Sequence, residues 1–314
     1  MIGTCLYKGQ GFGNQLWVYA VTRAAALRWG FEFSILNSNY FKGSDFLKLD
    51  FGKSAKTRRR IPSNEVPSGF TKTYFEKKVI DKKFNCDISP FDPDIWRPVD
   101  GTLLEGPLQS ENYILDYKDQ ISRWFRVESE QFDGCVINIR GGEYKNNRDL
   151  FLGKDYYRNA ISKIRDIDSN CDFLIVTDDP SIAHDLFPEY SIKSSGGVKI
   201  ILNRFYRSPK SRLIGNDFSL VQNAKYLILS NSSFSWWGAW TNPYAEFVIA
   251  PKYWARHNVS DGFWSQGDSL TRGWHWLDRK GVLSEYEECA REISKHSVQS
   301  KDRSRQFEIV RTTD

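Results

Sequence analysis

One arginine followed by two glycines is a candidate for anion chemistry. The stretch NIRGGEY, residues 138–144, continues an apolar run that predicts a strand over 135–140. The guanidinium of Arg140 is a planar fork that matches the oxygens of a diphosphate, and Glu143 adds a carboxylate near it. The alternative is an Arg140–Glu143 ion pair that braces a surface loop.

A second candidate site lies where residues 231–240 read NSSFSWWGAW. Asn231, Ser232 and Ser233 follow a predicted strand and begin a predicted helix, where free N–H groups and the helix dipole favour an anion. The aromatic residues recur at helical spacing all round this helix, which is typical of a buried element. We therefore predict that the serines face a ligand and that the tryptophans are mostly core.

Two further polar stretches stand at predicted strand ends. In TDDP, residues 177–180, Asp178 and Asp179 could bond a base edge or a ribose hydroxyl, or could cap the next helix. In GFGNQ, residues 11–15, the glycines permit close backbone approach to a ligand, or form a tight turn. The spacing is not GxGxxG, so it does not indicate a dinucleotide.

Alternating strands and helices must position these stretches. The first half predicts strand 4–7, a helix over 16–27 stopped by Gly30, strand 31–36, an irregular region over 40–100 and helical spacing over 114–125. The second half predicts strands over 135–140, 173–176, 199–202, 226–229 and 246–250, with helices over 155–167, from 180, and from an Asn216-Asp217 cap to 224. This alternation predicts a doubly wound parallel sheet, whose ligands bind at the carboxyl ends of its strands.

Composition limits the classes of function. The 314 residues carry 44 basic and 39 acidic side chains, so the net charge is 44 − 39 = +5, too small an excess to indicate a nucleic-acid binder. The basic run over 56–60 predicts a solvated loop, with contact to an anionic surface as the alternative. Five scattered cysteines without a CxxC pair favour a reducing compartment.

No membrane span or signal peptide is predicted. No apolar run approaches about 18 residues, and the first residues lack a basic flank before a long apolar region. We therefore expect a cytoplasmic protein, with peripheral membrane association left open.

Metal ligation is not predicted. The four histidines show no ligand spacing. Asp92-Pro93-Asp94 matches a DxD pattern that can bridge a metal to a diphosphate, but the central proline favours a turn.

Together these stretches resemble the α-1,2-fucosyltransferase family, glycosyltransferase family 11. Its members carry a GGLGNQ-type loop, an HxRRGDY-type motif, an S-D-D strand end and an NSSFSWWGAW-type stretch. This chain has GQGFGNQ, NIRGGEY, TDD and an identical NSSFSWWGAW, with smaller similarities in LEGPLQSENYI, DYYRNAI and VIAPKYW. The resemblance runs from about residue 6 to residue 255.

The resemblance implies an α/β, GT-B-like fold with two Rossmann-like domains facing across a cleft. We expect an acceptor-side domain over 1–130, a donor-nucleotide domain over 131–290 and a polar tail over 291–314. The implied reaction is inverting transfer of L-fucose from GDP-fucose to a glycan hydroxyl, without a metal or a further cofactor.

The resemblance also implies roles for individual residues. Arg140 would contact the diphosphate, and Asp178 or Asp179 the nucleoside. The remaining donor-binding candidates are Asn138, Asn231, Ser232, Ser233 and Phe234. The candidates that would line the cleft from the first domain are Gly11, Gly13, Asn14 and Gln15.

Three departures from the family motif leave the donor open. Asn138 stands for its histidine, Gly141 for its second arginine and Glu143 for its aspartate. One guanidinium fewer removes a charged hydrogen bond of about 1.5–3 kcal/mol, or makes room for another deoxyhexose donor. Glu143 is the predicted general base, since inversion needs one. The alternative from another class is an inactive carbohydrate-binding protein with residues 254–276 as its sugar face.

Overall fold

The computed structural model describes residues 1–53, 66–81, 86–188, 200–202, 210–260, 264, 269–302 and 307–310. The chain forms two compact units. The first comprises Met1–Phe125, Gln266–Ser269 and Val298–Asp314, and the second Arg126–Ser265 and Leu270–Ser297. Both are α/β units with a parallel sheet, so the predicted α/β class is confirmed. The basic run over 56–60 lies outside the described residues.

The first unit is built on a four-stranded sheet. Its elements are β1 (Ile2–Cys5), α1 (Phe12–Trp29), β2 (Phe33–Leu36), β3 (Lys72–Phe75), β4 (Lys78–Asp81), β5 (Cys86–Ile88), β6 (Thr102–Glu105) and α2 (Lys118–Trp124). The order is β2-β1-β6-β3 with every pairing parallel. The winding direction therefore reverses between β1 and β6. The predicted helix is confirmed as α1, and Gly30 ends it at φ 65, a left-handed cap that glycine adopts without strain.

The region over 40–100, predicted to be irregular, contains short strands. Each is only three or four residues long, too short to show a strand period, and β3 and β4 are hydrogen-bonded to strands that are distant in the sequence. β3 pairs with β6, while β4 pairs with β5 and with β14 (Phe307–Val310). The segment predicted as a polar tail over 291–314 therefore contains β14 and most of α7 (Tyr286–Asp302).

The second unit is a doubly wound sheet, as predicted. Its other elements are β7 (Phe132–Ile139), α3 (Lys154–Ile167), β8 (Phe173–Thr177), α4 (Pro180–Leu186), β9 (Ile200–Leu202), α5 (Lys210–Gln222), β10 (Ala224–Ile228), α6 (Ser233–Trp240), β11 (Phe247–Pro251), β12 (His275–Leu277) and β13 (Leu283–Ser284). The sheet order is β13-β12-β11-β10-β7-β8-β9, parallel except at β13. From β9 to β12 this is the 3-2-1-4-5-6 order, whose direction reverses between β7 and β10.

One helix start is predicted wrongly. Asn216 and Asp217 were expected to cap a helix, but α5 begins at Lys210, so both lie within it. Asn and Asp favour caps because their side chains bond nearby backbone, yet tertiary packing can hold them inside a helix. Among the described residues, no helix is both long and apolar enough to cross a bilayer.

Candidate functional site

Arg140 stands at the reversal point of the second sheet, directly after β7. Its guanidinium donates to Asp178 at the end of β8 and to Glu143 Oε1 at 3.1 Å. The Arg140 side chain is 34% exposed, so solvent reaches a guanidinium that two carboxylates hold in place. The ion pair considered from the sequence is therefore present. It leaves the cation at the carboxyl edge where doubly wound sheets bind ligands.

Two glycines allow this arrangement. The Gly141 N–H donates to Asp178 Oδ1 at 2.8 Å, so Asp178 orients both the loop and the guanidinium. A Cβ at Gly141 would lie 2.6 Å from the Asp179 Cβ, and one at Gly142 would lie 2.6 Å from Asp178 Oδ2. A side chain at position 141, where the resembled family has arginine, has no room in this loop conformation.

Asp179 caps α4. Its Oδ1 accepts from the Ser181 N–H at 3.2 Å and the Ser181 hydroxyl at 2.5 Å, while its Oδ2 is 3.1 Å from the Lys145 ammonium. The hydrogen bonds from Ser181, and then Lys145, lower the pKa of this carboxyl. The capping interpretation is confirmed. A contact from Asp178 or Asp179 to a nucleoside stays a prediction.

Asn138 joins the ends of three strands. Its Nδ2 donates to the Val176 carbonyl of β8 at 3.3 Å, and its Oδ1 accepts from the Ser230 hydroxyl just after β10. The Tyr157 hydroxyl donates to the Asn138 carbonyl at 3.4 Å. The Asn138 side chain is buried and bonded within the protein, so its predicted contact with a donor is untested.

The start of α6 lies next to these hydrogen-bonded strand ends. Asn231 and Ser232 are buried, whereas Ser233 and Phe234 are partly exposed. Asn231 Nδ2 donates to the Leu150 carbonyl at 2.9 Å, while its Oδ1 is buried without a hydrogen-bond partner among the described residues. The Ser232 hydroxyl does not cap the helix. The exposed part of the predicted anion site is therefore Ser233 and Phe234.

The tryptophans of α6 are core, as predicted. Trp236, Trp237 and Trp240 are 5%, 0% and 3% exposed. Trp236 stacks on Trp240 at 5.5 Å between centroids and donates its indole N–H to the Thr271 hydroxyl at 2.9 Å. The aromatic packing fixes the helix that follows Ser230, the hydrogen-bond partner of Asn138.

Asp217 was predicted to cap a helix, but it lies within α5 and its side chain is half-buried. Burial raises its pKa to about 7, and among the described residues it has no hydrogen-bond or ionic partner. It neighbours Phe218, whose ring packs edge-on against Phe234 at 5.8 Å. The adjacent Asn216 and Asp217 marked this position in the sequence, but such a pair indicates a helix cap and not a half-buried carboxyl.

The glycine loop of the first unit precedes α1. Gly11 is exposed at the N-cap and Gly13 is buried. Gln15 is fully buried: its Nε2 donates to the Tyr40 carbonyl at 2.8 Å, and its Oε1 accepts from the Lys42 N–H at 2.9 Å. In this structure Gln15 holds the turn over 40–42 and does not reach solvent.

Asn14 is closer to the surface than Gln15. Its Oδ1 accepts from Gln109 Nε2 at 3.0 Å, and its side chain is half-buried. This bond joins the glycine loop to the segment that follows β6. Whether Gly11, Gly13 or Asn14 contacts a substrate is a prediction that stands.

Asp92 lies in a turn, as favoured from the sequence. It caps the 3₁₀ helix Pro93–Trp96 by accepting from the Asp94 N–H. Its carboxylate also accepts from the Tyr74 hydroxyl at 2.7 Å and the Lys77 N–H at 3.1 Å. Within the described ranges, no group of three or more His, Cys, Asp or Glu side chains could hold a metal.

The chain is similar to two curated glycosyltransferases of Escherichia coli. It is 28% identical to alpha-1,2-colitosyltransferase over 178 residues, which are 49% of this chain and 57% of that protein. It is 26% identical to the O-antigen biosynthesis glycosyltransferase WbnK over 180 residues, 51% of this chain and 54% of that protein. The matches thus span little more than half of either relative's length.

Two solved structures of fucosyltransferase NodZ show a more distant likeness. The alpha-1,6-fucosyltransferase soaked with GDP-fucose gives a TM-score of 0.43 at 11% identity, over 80% of this chain and 94% of that one. The Bradyrhizobium enzyme gives 0.43 at 14% identity, over 79% and 94%. A likeness at this level implies no shared activity. No protein-family model matches the chain.

Proposed function

We propose that this chain is an inverting glycosyltransferase that moves L-fucose from GDP-fucose to a glycan hydroxyl. The observation that carries the proposal is the Arg140 guanidinium, held by Asp178 and Glu143 at the sheet reversal and partly open to solvent. The two carboxylates fix the guanidinium at this edge, and its N–H donors beyond the two that bond Asp178 and Glu143 can bond diphosphate oxygens. The similarity to two proteins named as glycosyltransferases supports the same class.

Each group in the site has a role in the transfer. The acceptor oxygen bonds to the anomeric carbon of the sugar as the bond from that carbon to the diphosphate oxygen breaks. The diphosphate keeps the electron pair, and Arg140 together with the first turn of α6 stabilises the growing charge. The acceptor's proton passes to a base, for which Glu143 is the candidate in this unit. Glu143 is 76% exposed.

A second donor has one specific observation in its favour. One of the two relatives is named as a colitosyltransferase, and colitose is also a deoxyhexose. Position 141 is glycine where the resembled family carries arginine, so the donor contacts need not be the same. Transfer of another deoxyhexose from its nucleotide is therefore the alternative within the enzyme class.

The carbohydrate-binding alternative has less support. Its sugar face was expected over residues 254–276, but Trp264, Trp274 and Trp276 are 7%, 5% and 0% exposed. Buried indoles cannot stack on a sugar. Among the described residues of that segment, Trp254 is the partly exposed tryptophan.

A nucleotide screen tests the proposal. GDP should raise the melting temperature more than UDP or dTDP, since a ligand at 100 times its Kd stabilises by about 2.7 kcal/mol. An equal or larger shift with UDP contradicts the donor assignment. GDP release from GDP-fucose and from GDP-colitose then separates the two donors. Glycan binding with no GDP binding would favour the carbohydrate-binding alternative.

A further inference from the structure

The first unit has its own reversal point, and one hydrogen bond crosses it. Tyr7 lies two residues after β1, and Glu105 ends β6, the neighbouring strand on the other side of the reversal. The Tyr7 hydroxyl donates to Glu105 Oε1 at 2.6 Å, although the residues are 98 positions apart. Ligands of parallel sheets bind at the carboxyl ends of strands at such a point.

Within the part of the chain that the structure describes, no cation compensates the charge of Glu105. Among the described residues no Lys, Arg or His bonds its carboxylate, and its neighbours are the Tyr7 hydroxyl and the Cys5 thiol. Burial raises the pKa of Glu105, and it raises that of Cys5 to about 12. A half-buried carboxylate without a cation lowers stability, and such groups are concentrated at functional sites.

Tyr7 presents an aromatic surface beside this carboxylate. The Tyr7 residue is 49% exposed, and Gly9 and Gly11 follow it in an open loop. An exposed ring offers an apolar face to the C–H groups of a sugar, and a carboxylate can only accept hydrogen bonds, as hydroxyl donors require. The pair therefore fits a neutral, hydroxyl-rich ligand, whereas Glu105 repels an anion.

The segment after Glu105 is fixed by the structure around it. Leu108 is buried at φ 53, a backbone conformation that non-glycine residues rarely adopt, and its N–H donates to Glu76 Oε2 at 2.8 Å. Gln109 then bonds Asn14 at the glycine loop. The edge that carries Glu105 is thus held from both sides, as a binding surface requires.

We propose that Glu105 and Tyr7 bind a hydroxyl of the acceptor sugar on the first unit. This inference rests on the proposed glycosyl transfer, because it names the acceptor contact of that reaction. Glu105 accepts the hydrogen bond of the sugar hydroxyl, and the Tyr7 ring packs against the sugar.

The test uses the full chain and three variants. Glu105→Gln keeps the shape but removes the charge, and Tyr7→Phe removes only the hydroxyl. Glu32→Gln makes the same change as the first variant at the opposite, amino edge of the sheet, where Glu32 is 60% exposed and paired with Lys53. Each is applied, with GDP present, to a printed array of mono- and oligosaccharides.

The proposal predicts that E105Q binds the glycans recognised by the wild type at least tenfold more weakly. Y7F should lose less, because it keeps the ring, and E32Q should bind as the wild type does. The melting temperature of E105Q should not fall, since the amide removes a carboxylate that burial disfavours. If E105Q does unfold more easily, the glycan binding of Y7F is the deciding measurement. Weaker binding by Y7F would support the proposal, and binding equal to that of the wild type would contradict it.

Three outcomes overturn the proposal. The first is that the wild type binds no glycan, and the second is that E105Q and Y7F both bind glycans as the wild type does. The third is that E32Q loses as much glycan binding as E105Q. GDP titration calorimetry on the wild type is the separate check on glycosyl transfer. Failure to bind GDP would contradict the proposed function, while glycan binding that depends on Glu105 would still stand.

Discussion

The two parallel sheets reverse direction in the same way but place opposite chemistry at the reversal. In the second unit, Asp178 and Glu143 each bond Arg140, and Asp179 bonds Lys145. In the first unit, Glu105 bonds Tyr7 and has no cation among its described neighbours. Glu76, which follows the neighbouring β3, is 4% exposed and bonds the Tyr113 hydroxyl at 3.0 Å.

The difference indicates what each edge can bind. The Arg140 guanidinium lies at a partly open edge and has N–H donors beyond the two that bond Asp178 and Glu143, and these donors can bond phosphate oxygens. Among the described residues no cation bonds Glu105, and such a carboxylate repels an anion but accepts hydrogen bonds from neutral hydroxyls. One α/β architecture therefore supports an anion site in one unit and a hydroxyl site in the other.

Removing the Arg140 cation from the second unit should change the activity more than any other substitution proposed. Arg140→Ala should lower kcat/KM at least about 100-fold, on the order of 3 kcal/mol, because the guanidinium stabilises charge that grows in the transition state. Arg140→Lys should recover little, since an ammonium lacks the bidentate fork. Steady-state kinetics measure both. Near-normal turnover of R140A would make NIRGGEY a structural loop.

The carboxylates of the first unit should make stability depend on pH. Burial raises the pKa of Glu76 from 4.5 to about 7, so the folded state binds its proton more tightly than the unfolded chain does. This contribution is fully present below about pH 4.5 and is lost as the pH rises through about 7, amounting to about 3 kcal/mol.

Melting temperatures between pH 4.5 and 8 measure this contribution. Glu76→Gln should flatten the fall in melting temperature over that range, whereas Glu32→Gln, at an exposed position, should keep it. Glu105 and Asp217 also have raised pKa values and act with the same sign, so the comparison with E76Q isolates Glu76. An unchanged slope in E76Q would show that its charge is compensated in the folded protein.

Gly141, at the position where the resembled family has arginine, should be required for packing. Gly141→Ala should lower stability by about 1–3 kcal/mol, because its Cβ would lie 2.6 Å from the Asp179 Cβ. Gly153→Ala is the control, since a Cβ there meets no atom within 4 Å. Thermal unfolding compares the two. Equal stability of G141A and G153A would mean that the loop moves freely.

The smallest effect expected is that of chelation. Turnover should persist in EDTA, because Arg140 and the N–H groups that begin α6 can neutralise a leaving diphosphate without a cation. Activity is measured before and after dialysis against EDTA. Loss of turnover with rescue by Mn²⁺ or Mg²⁺ would return Asp92 and Asp94 as ligand candidates.

Local patterns predicted most elements, and distant contacts produced the rest. The helical spacing after Gly13 and the stop at Gly30 predicted α1. Aromatic residues on all sides of the helix over 234–240 predicted that α6 is buried. Strands β3 to β5 are three or four residues long, too short for a local period to mark them, and β3 and β4 pair with strands that are distant in the sequence.

The two candidate sites also differ in whether their contacts are local or distant in the sequence. Arg140 and Glu143 are three residues apart, and their pairing was among the sequence alternatives. Tyr7 and Glu105 are 98 residues apart, and the reversal of strand order that joins them is invisible in either stretch. The stretch LEGPLQSENYI, which begins Leu104-Glu105, resembled the family, but the resemblance implied no role for Glu105.

GDP titration calorimetry on R140A, with Arg165→Ala as the control, measures the diphosphate contact of Arg140 itself. Arg165 lies over the Phe173 ring, at the amino edge of the same sheet. Loss of a charged hydrogen bond of about 1.5–3 kcal/mol predicts that R140A binds GDP about 10- to 150-fold more weakly, while R165A binds as the wild type does. Equal GDP affinity in R140A and the wild type would contradict a diphosphate site at the reversal of the second sheet.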